Sequence, residues 1–461
     1  MSVRADARPP RPTPGPAREY HFPPFERHAL SNDLKIIVAP ISRLPIVTVL
    51  ALVDAGAVRD PAGREGLAQL VAKLLLEGAG TLDGAELAEA FEHLGATVES
   101  SADWDAAVVS MTVTSPHLDA AFALFADVLR RPSFREREVE RLKAERLVEL
   151  LQLRAEPRGL ADEAFAAALY DSSSRYALAE GGTERTVDTI SEGDIAALYS
   201  RRYTPGTTTL IVTGDVTPAR VMRLANDHLG DWSGVAAPEK SARDTPARLS
   251  RATFLIGKDD AAQSELRIGH VGVPRVHPDY FDIVVMNAIF GGLFNSRINM
   301  NLREAHAYTY GAFSAFDWRR GAGPFVISTA VKTEATADSI REVLLEAERM
   351  RTQPVAAEEL SLATSYLDGV FPIRYETTAA VAAALANQVI YGLPDDYFDS
   401  YRARIREVTA DSVLQAAKRH LDPDRMQAVV VGDASVVRRS LEELGFGPML
   451  GDESPVVAAS R

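Results

Sequence analysis

The 461-residue chain has no cysteine, which removes disulfides, thiolate catalysis, thiolate-bound structural zinc and lipid attachment through a cysteine. Its nine histidines (21, 28, 93, 117, 228, 270, 277, 306 and 420) include no pair at i, i+3 or i, i+4, so no single helix offers two imidazoles to one metal ion. No apolar run reaches the roughly 20 residues that a membrane-spanning helix requires. An excess of positive charge is missing too. With 50 Lys and Arg against 64 Asp and Glu, the net charge of −14 suits neither nucleic acid nor an anionic membrane, which need concentrated positive surface.

What remains is ordinary globular material, 46% hydrophobic and 25% charged, long enough for two cores. The first 24 residues hold seven prolines and no apolar signal-peptide core, so they read as an extended arm. The cytoplasm is the default location, and a mature periplasmic form would look the same.

The chain matches itself at a nearly constant offset. Asp103-Trp104 recurs as Asp317-Trp318 at a shift of 214, while Pro205 and Gly214-Asp215 recur as Pro423 and Gly432-Asp433 at a shift of 218. Three matches in one order at nearly one shift indicate a tandem duplication. Each copy begins with an apolar segment (Leu34 to Ala57, Thr253 to Val273), followed by helix, strands, long helices and a last strand. This order predicts an α+β fold of two similar domains, each a mainly antiparallel sheet with helices on one face. The expected boundaries are an arm at 1–24, a first domain at 25–235, a polar linker at 236–250 and a second domain at 251–461. Thr97–Thr114 is a candidate sheet edge for taking up an extended peptide by main-chain pairing, although the same pattern fits an internal strand.

Two stretches carry more specific information. Residues 63–79, GREGLAQLVAKLLLEGA, space Leu67, Leu70, Val71, Leu74 and Leu75 as the apolar face of a buried helix. Their frame also resembles the pitrilysin/insulinase family of inverzincin zinc peptidases, roughly G-x-A-H-x-x-E-H-x-x-x-x-G, matched at Gly66, Ala68 and Gly78. The metal-binding places of that motif hold Gln69, Ala72 and Lys73 instead. Gln is a poor zinc ligand, Ala abstracts no proton, and the Lys73 ammonium repels a dication, so no metal is expected in this chain. Glu149, 76 residues after Lys73, falls near the family's third zinc ligand but reads as part of a solvated helix face with Glu140 and Glu145.

The second stretch, Phe290–Gly311, FGGLFNSRINMNLREAHAYTYG, resembles the second-domain signature of the same family, G-G-x-x-x-S-R-L-x-x-x-L-R-E-x-x-G-x-x-Y. Gly291, Gly292, Ser296, Arg297, Leu302, Arg303, Glu304 and Tyr310 all match. Ile298 and Ala307 stand where the pattern has Leu and Gly, departures that look mild. The resemblance implies that Arg303 and Tyr310 hold substrate and stabilise an oxyanion, beside a substrate or partner loop at Gly291, Gly292, Ser296 and Arg297. Taken alone, Arg303-Glu304 also reads as a surface ion pair, and Tyr308 and Tyr310 as strand residues. His306 reads as a polar loop residue.

Taken together, the resemblance implies a non-catalytic subunit of a heterodimeric zinc peptidase. This chain would have no cofactor of its own. A homologous partner with an intact H-x-x-E-H would carry the zinc, and Arg303 and Tyr310 would act in trans on an unfolded peptide. An inert scaffold of the same fold and a peptide-capture protein are the alternatives.

Overall fold

The computed structural model describes residues 19–235 and 244–450. Runs of β-branched and aliphatic residues form two sheets. The first half contributes β1 (Glu26–Ala29), β2 (Lys35–Pro40), β3 (Ile46–Val53), a short hairpin of β4 (Gly78–Ala79) and β5 (Leu82–Asp83), then β6 (Thr97–Ala102), β7 (Ala107–Thr114) and β8 (Thr208–Gly214). The second half contributes β9 (Ala252–Gly257), β10 (Gln263–Val271), β11 (Thr309–Phe316), β12 (Pro324–Lys332) and β13 (Gln427–Gly432).

The strand orders are β1-β2-β8-β3-β7-β6 and β11-β12-β10-β13-β9. Apart from β1, these are one topology. β2 with β8 and β9 with β13 are the parallel pairs, and every other neighbour is antiparallel. The internal sequence matches occupy corresponding places: Gly214 and Gly432 end β8 and β13, and Asp103-Trp104 and Asp317-Trp318 follow β6 and β11. Each apolar opening segment folds into two strands.

Those strands are apolar on both faces because both faces are covered. Ile36, Val38, Val47, Val49 and Ala51 pack in a first-half core, whereas Ile37, Ala39, Leu50, Leu52 and Ile211 join a core shared with the second half. The helix Thr378–Tyr391 from the second half lies on β3 and β8, where the Thr378 carbonyl accepts a hydrogen bond from Thr213 at 2.8 Å. Reciprocally, the helix Pro157–Leu169 of the first half lies on β10 and β13. A Cβ at Gly269 in β10 would come within 3.1 Å of Phe165 Cζ on that helix and 1.9 Å of the Phe325 carbonyl oxygen, so only glycine permits this approach. The expectation of helices on one face is therefore corrected: the duplicated halves exchange helices to cover the other.

Charge also joins the halves. Arg320 pairs with Asp54 at 2.8 Å, and its amide donates to Asp105 at 2.9 Å. The end of the N-terminal arm is ordered, with the Phe22 ring stacked on Phe398 at 4.4 Å; residues 1–18 of the arm lie outside the described residues. Of the expected linker, 236–243 also lies outside them. The remainder is tied down, with Asp171 and Ala247 amides bonded to the Thr245 and Leu169 carbonyls at 3.0 and 2.7 Å. Thr97–Thr114 divides into an edge strand, β6, and an internal one, β7. No helix among the described residues is long and apolar enough to cross a membrane.

Candidate functional site

Residues 67–74 form the expected helix, Leu67–Leu74, with Leu67, Leu70, Val71 and Leu74 buried. Gly66 enters it at φ 97°, and the Asp60 carboxylate accepts from the Gly66 and Ala68 amides at 2.9 and 2.8 Å, holding two of the free amides at the helix start. Arg175 pairs with the same carboxylate at 3.0 Å. Burial nevertheless dominates and pushes the Asp60 carboxyl up to about 6, against the pull of Arg175 and the two amides.

Beyond this frame, the zinc chemistry is replaced by hydrogen bonds. Gln69 Nε2 donates to Glu180 at 3.2 Å, and the Ala72 methyl is fully buried. Lys73 Nζ lies 3.2 Å from a Glu149 oxygen, while Arg146 bonds the other oxygen at 2.9 Å. Glu149 keeps a partly solvated side chain, 43% exposed, and also meets the Lys73 ammonium across the two helices. Burial would raise its carboxyl, but the hydrogen bonds and charges of Arg146 and Lys73 together hold it below the usual carboxylate range. These residues do not fit zinc, because each Glu149 oxygen already faces a cation and neither Gln69 nor Lys73 supplies a neutral imidazole.

The second-half segment is built differently. Ala288–Gly292 and Met300–Ala305 are π-helical stretches flanking the short helix Arg297–Asn299, and they pack against edge strand β11. A Cβ on Gly291 would meet Ser314 Oγ at 2.3 Å and Ile298 Cδ1 at 2.5 Å, so packing against β11 requires glycine there. Gly292 is exposed. Ser296 is buried at the start of Arg297–Asn299, and Arg297 forms a two-pronged pair with Glu359 at 2.7 Å for each contact. The Arg297 guanidinium thus anchors the segment to the helix Ala357–Arg374.

Arg303 remains reachable, with its side chain 36% exposed, lying 4.6 Å over the Phe294 ring and 3.4 Å from Glu304. Tyr310 is 90% exposed at an irregularity in β11, and its phenol makes no hydrogen bond among the described residues. Tyr308, in contrast, is half-buried and stacks on His306. No hydrogen bond, ion pair or ring contact among the described residues joins Arg303 or Tyr310 to Gln69, Ala72 or Lys73.

Three features were invisible in the sequence. The outer edge of β11 is capped, because Ala312 N donates to Asn299 at 3.0 Å and Ser314 O accepts from Asn287 at 3.0 Å. Strand β6 has no such side-chain caps among the described residues. Secondly, His277, Asp279 and His420 converge within 4.8 Å although no two histidines share a helical spacing. There Asp279 already accepts from His420 at 2.7 Å and Arg419 at 2.9 Å, and the His277 Nδ1 lone pair takes the Asp279 amide, which makes the group a pin between two helices. Thirdly, aromatic residues from separate helices and strands gather into a pocket beside Gly292.

The comparisons agree with this double architecture. Residues 37–179 match "Insulinase (Peptidase family M16)" and residues 189–367 match "Peptidase M16 inactive domain". The chain belongs to peptidase family M16. It is 23% identical over 416 residues to an "uncharacterized zinc protease" of Rickettsia bellii, covering 88% of this chain and 97% of that one. A Helicobacter pylori chain called "non-peptidase homolog YmxG" is 21% identical, covering 80% and 84%. The solved "peptidase M16 inactive domain" from Pseudomonas fluorescens superposes with a TM-score of 0.82 at 25% identity, covering 89% of this chain and 98% of that one. This is an M16-type protein whose own metal-binding positions lack the residues for zinc peptidase chemistry.

Proposed function

We propose that the chain is the non-catalytic subunit of a heterodimeric M16 peptidase, holding an unfolded peptide for a partner of the same fold that bears H-x-x-E-H and zinc. The observation that carries this reading is Tyr310. Its phenol projects almost fully into solvent from an edge strand, seven residues after a reachable Arg303, in a chain whose motif positions hold Gln69, Ala72 and Lys73. The guanidinium can bind a peptide carbonyl through several donors, and the phenol can donate to the oxyanion that develops there. Of the two corresponding edges β6 and β11, capping at 312 and 314 leaves β6 suited to main-chain pairing with an extended peptide.

The test mixes the purified chain with an H-x-x-E-H homologue and follows cleavage of a quenched peptide. Activity is expected only from the mixture. Tyr310→Phe is expected to lower kcat by about 10²- to 10³-fold, the range for loss of one oxyanion donor. Arg303→Ala is expected to lower kcat/KM. Unchanged cleavage with both variants would favour an inert scaffold, the reading consistent with the relative called a non-peptidase homolog.

A further inference from the structure

A cavity of about 330 Å³ opens beside Gly292 and Leu293, next to the segment that carries Arg303 and Tyr310. Tyr280, Phe316, Trp318, Tyr366 and Tyr401 form its walls, and Arg374 lines it. The aromatic groups brace one another: Trp318 lies 4.7 Å from Tyr280 and 5.6 Å from Phe316, ring centre to ring centre. Tyr366 is nevertheless about half exposed, as a ligand-facing wall requires. The volume is at the small end for ligand pockets and suits one bulky side chain rather than a folded partner.

Its charge is one-sided. Arg374 is exposed and has no carboxylate partner among the described residues, and both Arg374 and Arg275 act on the buried Tyr401 phenol. Arg275 is already stacked on Tyr280 at 3.6 Å, so Arg374 is the cation left for a ligand. An alternative role for Arg374 is to complement the carbonyl end of the helix Ala357–Arg374. That role requires no aromatic pocket beside it.

We propose that this pocket binds the C-terminal residue of a peptide, with a large apolar or aromatic side chain between the rings and its α-carboxylate on Arg374. Two observations select the chain end over an internal segment. The pocket reaches Ala315 and Phe316, but the neighbouring outer edge of β11 is occupied by Asn287 and Asn299, so a peptide cannot run along 312–314 as an added strand. Along an extended chain, moreover, adjacent side chains point to opposite faces, so an acidic residue next to an aromatic one would not deliver both groups to one small pocket. A terminal residue carries both on one Cα. The inference deepens the substrate-holding role and rests on it for the choice of a peptide.

The experiment uses the intact 461-residue chain without a partner, so it is independent of cleavage. Unstructured decapeptides ending in Phe are titrated as the free acid and as the C-terminal amide, with Trp318 fluorescence and the anisotropy of a labelled peptide as readouts; a third peptide places Phe internally beside Glu. The free acid is expected to bind saturably, and the amide and the internal peptide about tenfold or more weaker, the scale of one charge-assisted contact. Arg374→Gln, at an exposed and unpaired position, is expected to weaken the acid to the level of the amide and leave the amide unchanged. Tyr366→Ala is expected to weaken both. Trp318→Phe should remove the fluorescence change. Equal binding of acid and amide, or an acid preference that survives Arg374→Gln, overturns the proposal. Failure here with partner-dependent cleavage intact would reject the pocket alone, and the reverse pattern would reject the trans-acting role alone.

Discussion

Ala307 occupies the left-handed region at φ 54°, where the family pattern has glycine. What reads as a mild substitution in the sequence therefore carries backbone strain of about 1–2 kcal/mol, because Cβ crowds the following carbonyl. Ala307→Gly relieves that strain but gains unfolded-state freedom worth about 0.4–1 kcal/mol. A net stabilisation of about 0.5–1 kcal/mol is expected in chemical denaturation, and an unchanged or lower midpoint would contradict it. At Asp60 the effect depends on pH. The folded carboxyl, near 6, lies above its ordinary value of about 4, so the unfolded chain ionises first as pH rises. Stability contributed by this group is therefore expected to fall between about pH 4 and 6 and stay level above. Denaturation of wild type and Asp60→Asn across that range isolates the term; parallel curves would show that Arg175 and the two amides offset burial completely.

The element that matters most is the helix Leu67–Leu74. Its amphipathic spacing and the loss of zinc-binding residue types were both legible, since they depend only on local sequence. The role of Glu149 was not, because it lies in another helix and its partner became visible only through packing. The Lys73–Glu149 pair is nearly half exposed on both sides and contributes at most about 1 kcal/mol. Its consequence is geometric: Glu149 lies beside Lys73, which holds one of the motif's metal-binding places. Gln69→His with Lys73→His is therefore expected to gain about one zinc per chain by metal analysis, in keeping with a His₂Glu donor set. Cleavage by that variant alone is not expected, since Ala72 supplies no general base. Metal content no higher than wild type would show that Arg146 keeps Glu149 or that the helices are set too far apart.

At the scale of the whole molecule, each sheet borrows a helix from the other half. Leu385, on the borrowed helix Thr378–Tyr391, is fully buried in the shared core, so Leu385→Ala is expected to cost about 2–5 kcal/mol. Because each half would expose a sheet face without the other, 25–235 and 251–461 produced separately are expected to lack a cooperative thermal transition. A sharply melting isolated half would contradict this. The sequence by itself determined the duplication, the emptied metal positions and the Arg303 to Tyr310 spacing, because repeats, residue types and short motifs are properties of neighbours along the chain. Only the tertiary structure decided the helix exchange, the meeting of Lys73 with Glu149, the capped β11 edge and the Arg374 pocket. Those depend on contacts between residues tens to hundreds of positions apart, which no local period records.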